Sequence, residues 1–289
     1  SLDELIQSLK AILSNKQDCT GLLIPCDERG NVYCINHVIR SRRVFLGITQ
    51  EELSSGICLP HTLSRIENCI GKLRRDNRKA LLCNVNMSGE RYDYEIITDS
   101  YEDYLMRSEL DRATIRKDWS KVHILLKELR LRAPNTPTNN QYFEKKEAGI
   151  RVNLPDTHPE KISRDEYLKR MYSAIHLTIP LDLNFISSWP TCTLAINEVL
   201  CLMAIANEHK RNRDYEKSLQ ILSYILSCLK NGDVDALCYV DLYTRVGIRL
   251  ASVLNDLGHY HEAINIAQEC KELELSHGTC NRLAQCFYS

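Results

Sequence analysis

Residues 46–68, LGITQEELSSGICLPHTLSRIEN, decide the fold of this 289-residue chain. Thr49 and Glu52 have the Thr-x-x-Glu spacing of a capping box, in which each side chain binds the other residue's backbone N–H at a helix start. Gly56 allows the positive φ of a tight turn. Pro60 suits the first turn of a further helix, where an N–H group has no intrahelical acceptor. The segment therefore predicts two short helices joined by a turn.

One more helix, the first of three in chain order, is predicted before this segment. Ile35, Val38, Ile39, Arg42 and Leu46 recur at helical spacing, and Gly47 can end that helix in a left-handed conformation. The second and third helices are expected over 49–54 and 60–68. The apolar residues expected to pack the three helices together are Leu53, Ile57, Leu63 and Ile66.

This pattern resembles the lambda-repressor/Cro-like (XRE) family, whose usual sequence runs LGLTQEELA…GIS…TLSRIE. The match spans residues 35–69 and holds in order and spacing. It implies a helix-turn-helix domain whose third helix lies in the major groove of double-stranded DNA. It also implies which residues face DNA. They are Gln50 at the start of the second helix, and His61, Thr62, Ser64 and Arg65 on or beside the third.

Basic residues cluster around the same segment. Between residues 36 and 80 the sequence has nine Lys or Arg and four acids, so a local charge of +5 stands within a chain of net charge -1. Phosphate contacts position a protein on DNA without reading its sequence. The residues expected to make them are Arg40, Arg42 and Arg43 in the first helix, and Lys72, Arg74 and Arg75 after the third.

The same three helices could instead be a vestigial spacer that packs against the rest of the chain. Leu59 and Pro60 stand at the front of the third helix, where the family often has polar residues. Residues 69–71, Cys-Ile-Gly, replace the usual Gly-Lys stretch. A scaffold that does not bind DNA therefore remains the alternative to a DNA-binding module.

Three further segments share a helix joint: IRKDWSKVHILLKEL from Ile115, HKRNRDYEKSLQILSYIL from His209 and LNDLGHYHEAINIAQEC from Leu254. They resemble tetratricopeptide (TPR) repeats, whose second helix opens with G-D/N-Y-x-E-A. The aromatic residue should fill the gap beside the turn, and a small or branched residue three positions later should lie where two helices cross. The aromatic residues are Trp119, Tyr215 and Tyr260, followed by Val122, Ser218 and Ala263.

The sequence predicts an all-α protein with a lambda-repressor-like helix-turn-helix domain and a TPR-like right-handed α-superhelix. Only 11 Gly and 8 Pro occur, which suits long helices with short joints. Four or five hairpins should stack, because one hairpin alone cannot bury its apolar face. RAPNTPTNNQ, residues 132–141, should be a linker. The expected domains are an N-terminal helix with an extended or hairpin connector (1–34), the helix-turn-helix (35–80), a connector (81–103) and the repeats (104–289).

A Cro-like module joined to such repeats resembles the Rgg/PlcR/PrgX-type group, the peptide-pheromone-responsive regulators of Gram-positive bacteria. The resemblance implies a cytoplasmic homodimer whose repeats bind a short signalling peptide and adjust DNA binding. Half-sites would then lie one helical turn, about 34 Å, apart. The repeats could equally bind a partner protein or serve only for dimerisation. Asn207 and Asn255 are candidate ligand contacts.

Other classes of protein find little support in the sequence. No G-x-S-x-G, Walker-type, G-x-G-x-x-G or HExxH motif occurs, so no enzyme and no cofactor is expected. The 13 cysteines include no CxxC pair, which favours reduced, buried thiols over a metal site. No apolar run reaches the roughly 18 residues of a membrane span. Because the chain begins at Ser1, we expect an excised piece of a longer protein.

Overall fold

A computed structural model describes residues 7, 35–70, 74–87, 96–98, 100–231, 236–277, 285 and 286. These residues form helices and connecting turns and contain no β-strand. The predicted all-α class is therefore confirmed. The helix and connector predicted over 1–34 lie outside the described residues, except for residue 7.

The helices follow one another with short connections. A kinked 3₁₀ segment, Leu183–Ser188, separates the eighth from the ninth. Their bounds are α1 (Ile35–Phe45), α2 (Gln50–Ser54), α3 (Pro60–Glu67), α4 (Arg75–Asn84), α5 (Tyr101–Arg116), α6 (Trp119–Arg132), α7 (Pro137–Val152), α8 (Arg164–His176), α9 (Ile196–Arg211), α10 (Tyr215–Asn231), α11 (Ala236–Asp256) and α12 (Tyr260–Ser276).

The predicted capping box begins α2. The Glu52 backbone N–H donates to Thr49 Oγ1 at 3.2 Å, and the Thr49 backbone N–H donates to Glu52 Oε2 at 2.7 Å. This second bond lowers the pKa of the exposed Glu52 carboxyl. Gly47 and Gly56 have φ of +69° and +72°, and Pro60 is the first residue of α3. The local signals of the decisive segment are all present.

The linker predicted over 132–141 is shorter than expected. Helix α6 continues to Arg132, and α7 already begins at Pro137. Thr136 Oγ1 accepts a hydrogen bond from the Asn139 backbone N–H at 3.2 Å, so Thr136 is the N-cap of α7. A polar cap followed by proline begins a helix as readily as it marks a loop. The prediction mistook a helix start for a connector.

Consecutive helices pack in pairs in the repeat region, with α5 against α6, α7 against α8 and α11 against α12. The three predicted joints each place the aromatic residue at the first helical position. The small or branched residues Val122, Ser218 and Ala263 are buried as predicted. Tyr260, however, is 62% exposed, because it lies beside Ile264 on the face of α12 that solvent reaches.

The chain divides into two compact units. One contains α1, residues 184–194 and α10–α12, and its core includes Ile221, Ile225 and Val246. The other contains α2–α8 and residues 195–208. A hydrophobic core cluster in this unit includes Leu110, Val122, Leu129, Tyr142 and Phe143. The predicted domain boundaries stay a prediction.

None of the described helices combines the length and apolar character that crossing a membrane requires.

Candidate nucleic-acid interface

The frame of the site is the contact between α2 and α3. Leu53, Leu63 and Ile66 are fully or almost fully buried, as predicted, and Ile57 is half-buried. Their burial is what orients two helices that are each too short to be stable alone. His61 and Arg65 of α3 are consequently turned away from this small core.

A partly buried hydrogen bond also connects α2 and α3. The Gln50 amide donates from Nε2 to Glu67 Oε2 at 2.7 Å, and Glu67 is only 2% exposed. Gln50 was predicted to touch phosphate or a base edge. In the structure the half-buried Gln50 side chain instead connects the start of α2 to the end of α3 through this hydrogen bond. Sequence reasoning missed Glu67, although both residues belong to the pattern that carries the XRE resemblance.

The outward face of α3 has a cationic and polar character. His61 and Arg65 lie one helical turn apart and are exposed, whereas Thr62 and Ser64 between them are half-buried. Among the described residues, the structure gives the Arg65 guanidinium no ion pair or hydrogen bond. A guanidinium presents a fork of donors that matches the O6 and N7 acceptors of guanine. The structure thus brings four of the predicted DNA-facing residues together on one short helix.

The basic residues after α3 are only partly described. Arg74 is exposed and precedes α4 without a side-chain capping bond. Lys79 is exposed and Arg78 is half-buried. The predicted phosphate contact Lys72 and the side chain of Arg75 lie outside the described residues.

One predicted phosphate contact in α1 is wrong. Arg42 is fully buried, with its guanidinium 5.5 Å from the centre of the Phe45 ring and Nη1 3.9 Å from Cys192 Sγ. Helical spacing places Arg42 on the same face as the buried Val38, Ile39 and Phe45. The Arg42 guanidinium therefore makes its contacts inside the protein and cannot reach a DNA phosphate from that position.

The other two arginines of α1 stay on the surface side. Arg40 is exposed, on the side of the helix away from Val38, and Arg43, one turn after the buried Ile39, is half-buried. No group of three or more His, Cys, Asp or Glu side chains that could hold a metal ion occurs within the described part of the chain.

Comparisons with known proteins identify solved structures only. No family model matches the chain, and no curated protein matches it. The structure of Bacillus thuringiensis PlcR in complex with the peptide PapR7 and DNA is 15% identical in sequence, and the alignment covers 89% of this chain and 85% of that one, with a TM-score of 0.50. The Streptococcus dysgalactiae SHP pheromone receptor Rgg2 is 12% identical over 88% and 80%, with a TM-score of 0.36. The apo form of ComR from S. thermophilus is 14% identical over 84% and 93%, with a TM-score of 0.37.

The likeness to PlcR establishes the class of fold, a helix-turn-helix domain with TPR-like repeats. The resemblance to the Rgg/PlcR/PrgX-type group predicted from the sequence is thereby confirmed at the level of fold.

Proposed function

We propose that this chain is a bacterial, cytoplasmic transcription regulator in which α3 reads double-stranded DNA. The observation that carries the proposal is the outward face of α3, where His61 and Arg65 are exposed. The helix that supports α3 is α2, which begins with the Thr49–Glu52 capping box. His61, Thr62, Ser64 and Arg65 face base edges in the major groove. The phosphate contacts come from Arg40, Arg43, Lys72, Arg74 and Arg75.

The repeats form the regulatory half of the proposal. They dimerise the chain and sense a ligand, which is a short signalling peptide or a partner protein. The PlcR structure with this fold contains both a peptide and DNA, which supports the pairing of these two partners here. The charge of +5 between residues 36 and 80 favours a polyanionic partner for the N-terminal module.

The test is a mobility-shift titration of the full chain against operator duplexes selected from a random library. The logarithm of the affinity should fall linearly with the logarithm of the salt concentration, with a slope of about -0.9 per phosphate contacted. Arg65→Ala should lower specific affinity by about tenfold to a hundredfold, because one forked contact to a base edge is lost.

Arg116→Ala is the matched control, since it removes the same charge from an exposed site on α5. Its specific affinity should equal that of the unmodified chain. Equal effects of the two substitutions would mean that Arg65 contributes only general charge.

The alternative function is a TPR-like interaction scaffold whose helix-turn-helix is vestigial. The burial of Arg42 and the bond between Gln50 and Glu67 favour it, because both side chains contribute to packing. A complete lack of specific shift at low salt would support the scaffold and contradict DNA reading.

A further inference from the structure

The start of α3 breaks a local rule of helix formation. Leu59 is the N-cap residue, and its side chain makes no capping hydrogen bond. Ser, Thr, Asp and Asn are strongly preferred at this position, and Leu is among the poorest residues there. Leu59 is also 64% exposed, so it does not compensate by packing into the core. Residues that violate such rules without a structural gain are expected at functional sites.

The chemistry of this helix start is apolar. Leu59 has no polar side-chain atom, and Pro60 after it lacks a backbone N–H. In helix-turn-helix proteins the N-terminal residues of the recognition helix contact base edges. The C5 methyl of thymine is the apolar group that a natural base pair presents in the major groove. A leucine at this place matches that methyl and offers no hydrogen bond to any other base edge.

We propose that Leu59 is a specificity-determining residue that recognises a thymine methyl group in the operator. Each half-site then contains an A·T pair whose thymine faces the start of α3, beside the bases met by His61 and Arg65. This inference rests on the proposed DNA-binding function and adds to it the base class read at one position.

The test removes single methyl groups from DNA. An operator is selected with the full chain, and each thymine is replaced in turn by deoxyuridine, which differs only in lacking the C5 methyl. One position per half-site should lose about fourfold in affinity, which corresponds to one buried methyl group. The other thymines should tolerate the change.

Leu59→Ser identifies the residue responsible. This variant should bind the thymine and uracil operators equally at that position and keep its response to changes elsewhere in the site. Because serine can cap α3, the thermal unfolding temperature should not fall. A merely structural role of Leu59 would instead weaken binding to every operator alike.

Ile70→Ser provides the control, because Ile70 is an equally exposed apolar residue just past the other end of α3. It should retain the full uracil effect. If a specific complex forms and every uracil substitution is tolerated, the inference is overturned while the proposed function stands. If no specific complex forms at all, both are overturned.

Discussion

At the scale of single residues, the repeat joints depend on a left-handed backbone. Lys117, Arg213 and Gly258 each lie two positions before the aromatic residue of a joint and have φ of 59°, 63° and 81°. The residue after each one donates its N–H to a carbonyl five positions back, at 2.9–3.0 Å. This is the Schellman geometry, in which glycine is the favoured residue because a side chain crowds the left-handed conformation. Two of the three joints therefore carry conformational strain.

Replacing the two basic residues should relieve that strain. Lys117→Gly and Arg213→Gly should each stabilise the chain by about 1 kcal/mol, because the left-handed penalty disappears. Gly258→Ala should destabilise it by about the same amount. A Cβ at Gly258 would meet nothing within 4 Å, so the cost is purely conformational. Urea denaturation of the full chain measures all three changes.

Gly149 within α7 supplies the control of opposite sign. A Cβ there also meets nothing within 4 Å, but the backbone is helical. Gly149→Ala should therefore stabilise the chain by about 0.5–1 kcal/mol. Loss of stability in both Gly149→Ala and Gly258→Ala would contradict the argument from φ.

At the scale of helices, close crossing decides the packing of α11 on α12. A Cβ added at Gly247 would collide with Cys270 Sγ, so the two helices approach where one side chain is missing. Burial raises the pKa of Cys270 to about 12, and the protonated thiol packs as a small apolar group. Thr244 Oγ1 donates to the buried Glu274 Oε1 at 3.1 Å in the same interface.

Gly247→Ala should destabilise the chain by about 1–3 kcal/mol, because the new methyl overpacks a buried crossing. Cys270→Ala removes the sulfur that the methyl would strike. The double variant should thus be more stable than the sum of the two single effects predicts, by at least about 0.5 kcal/mol in urea denaturation. If the two destabilisations simply add in the double variant, the contact between the new methyl group and Cys270 Sγ is not the source of the strain.

At the scale of the molecule, α1 belongs to the same compact unit as the C-terminal repeats. The Phe45 ring meets Trp189 edge-on at 5.9 Å, and Trp189 meets Tyr224 of α10 at 5.5 Å. Ser41 Oγ donates to Thr193 Oγ1 at 3.3 Å. These contacts connect α1 to the repeat helix α10 through residues 184–194.

Removing the central ring should loosen this connection. Trp189 is half-buried, so Trp189→Ala should cost about 2 kcal/mol, less than the loss of a fully buried aromatic side chain. The backbone amides of α1 should exchange with deuterium faster than in the unmodified chain, because local opening becomes easier.

Trp119→Ala is the matched control, because that tryptophan packs against the core cluster of the other unit. It should destabilise the chain without selectively speeding exchange in α1. Unchanged exchange in α1 after Trp189→Ala would show that other contacts hold the helix.

The sequence by itself determined the features that depend only on residues close together along the chain. The Thr49 capping box, the positive φ of Gly56, Pro60 at a helix start and the buried Ala263 follow from residues within a few positions of each other. The outward position of Arg65 follows from the same helical periodicity. These features made the all-α fold and most of α3 predictable.

Only the tertiary structure decided which polar side chains make buried contacts inside the protein. Arg42 is buried against Cys192, which stands 150 positions away, and Gln50 pairs with Glu67 across the turn. Leu59 and Tyr260 are likewise exposed because no neighbouring helix of the described chain covers them. Helical periodicity gives the face on which a residue lies, but the segment that covers that face comes from a distant part of the chain.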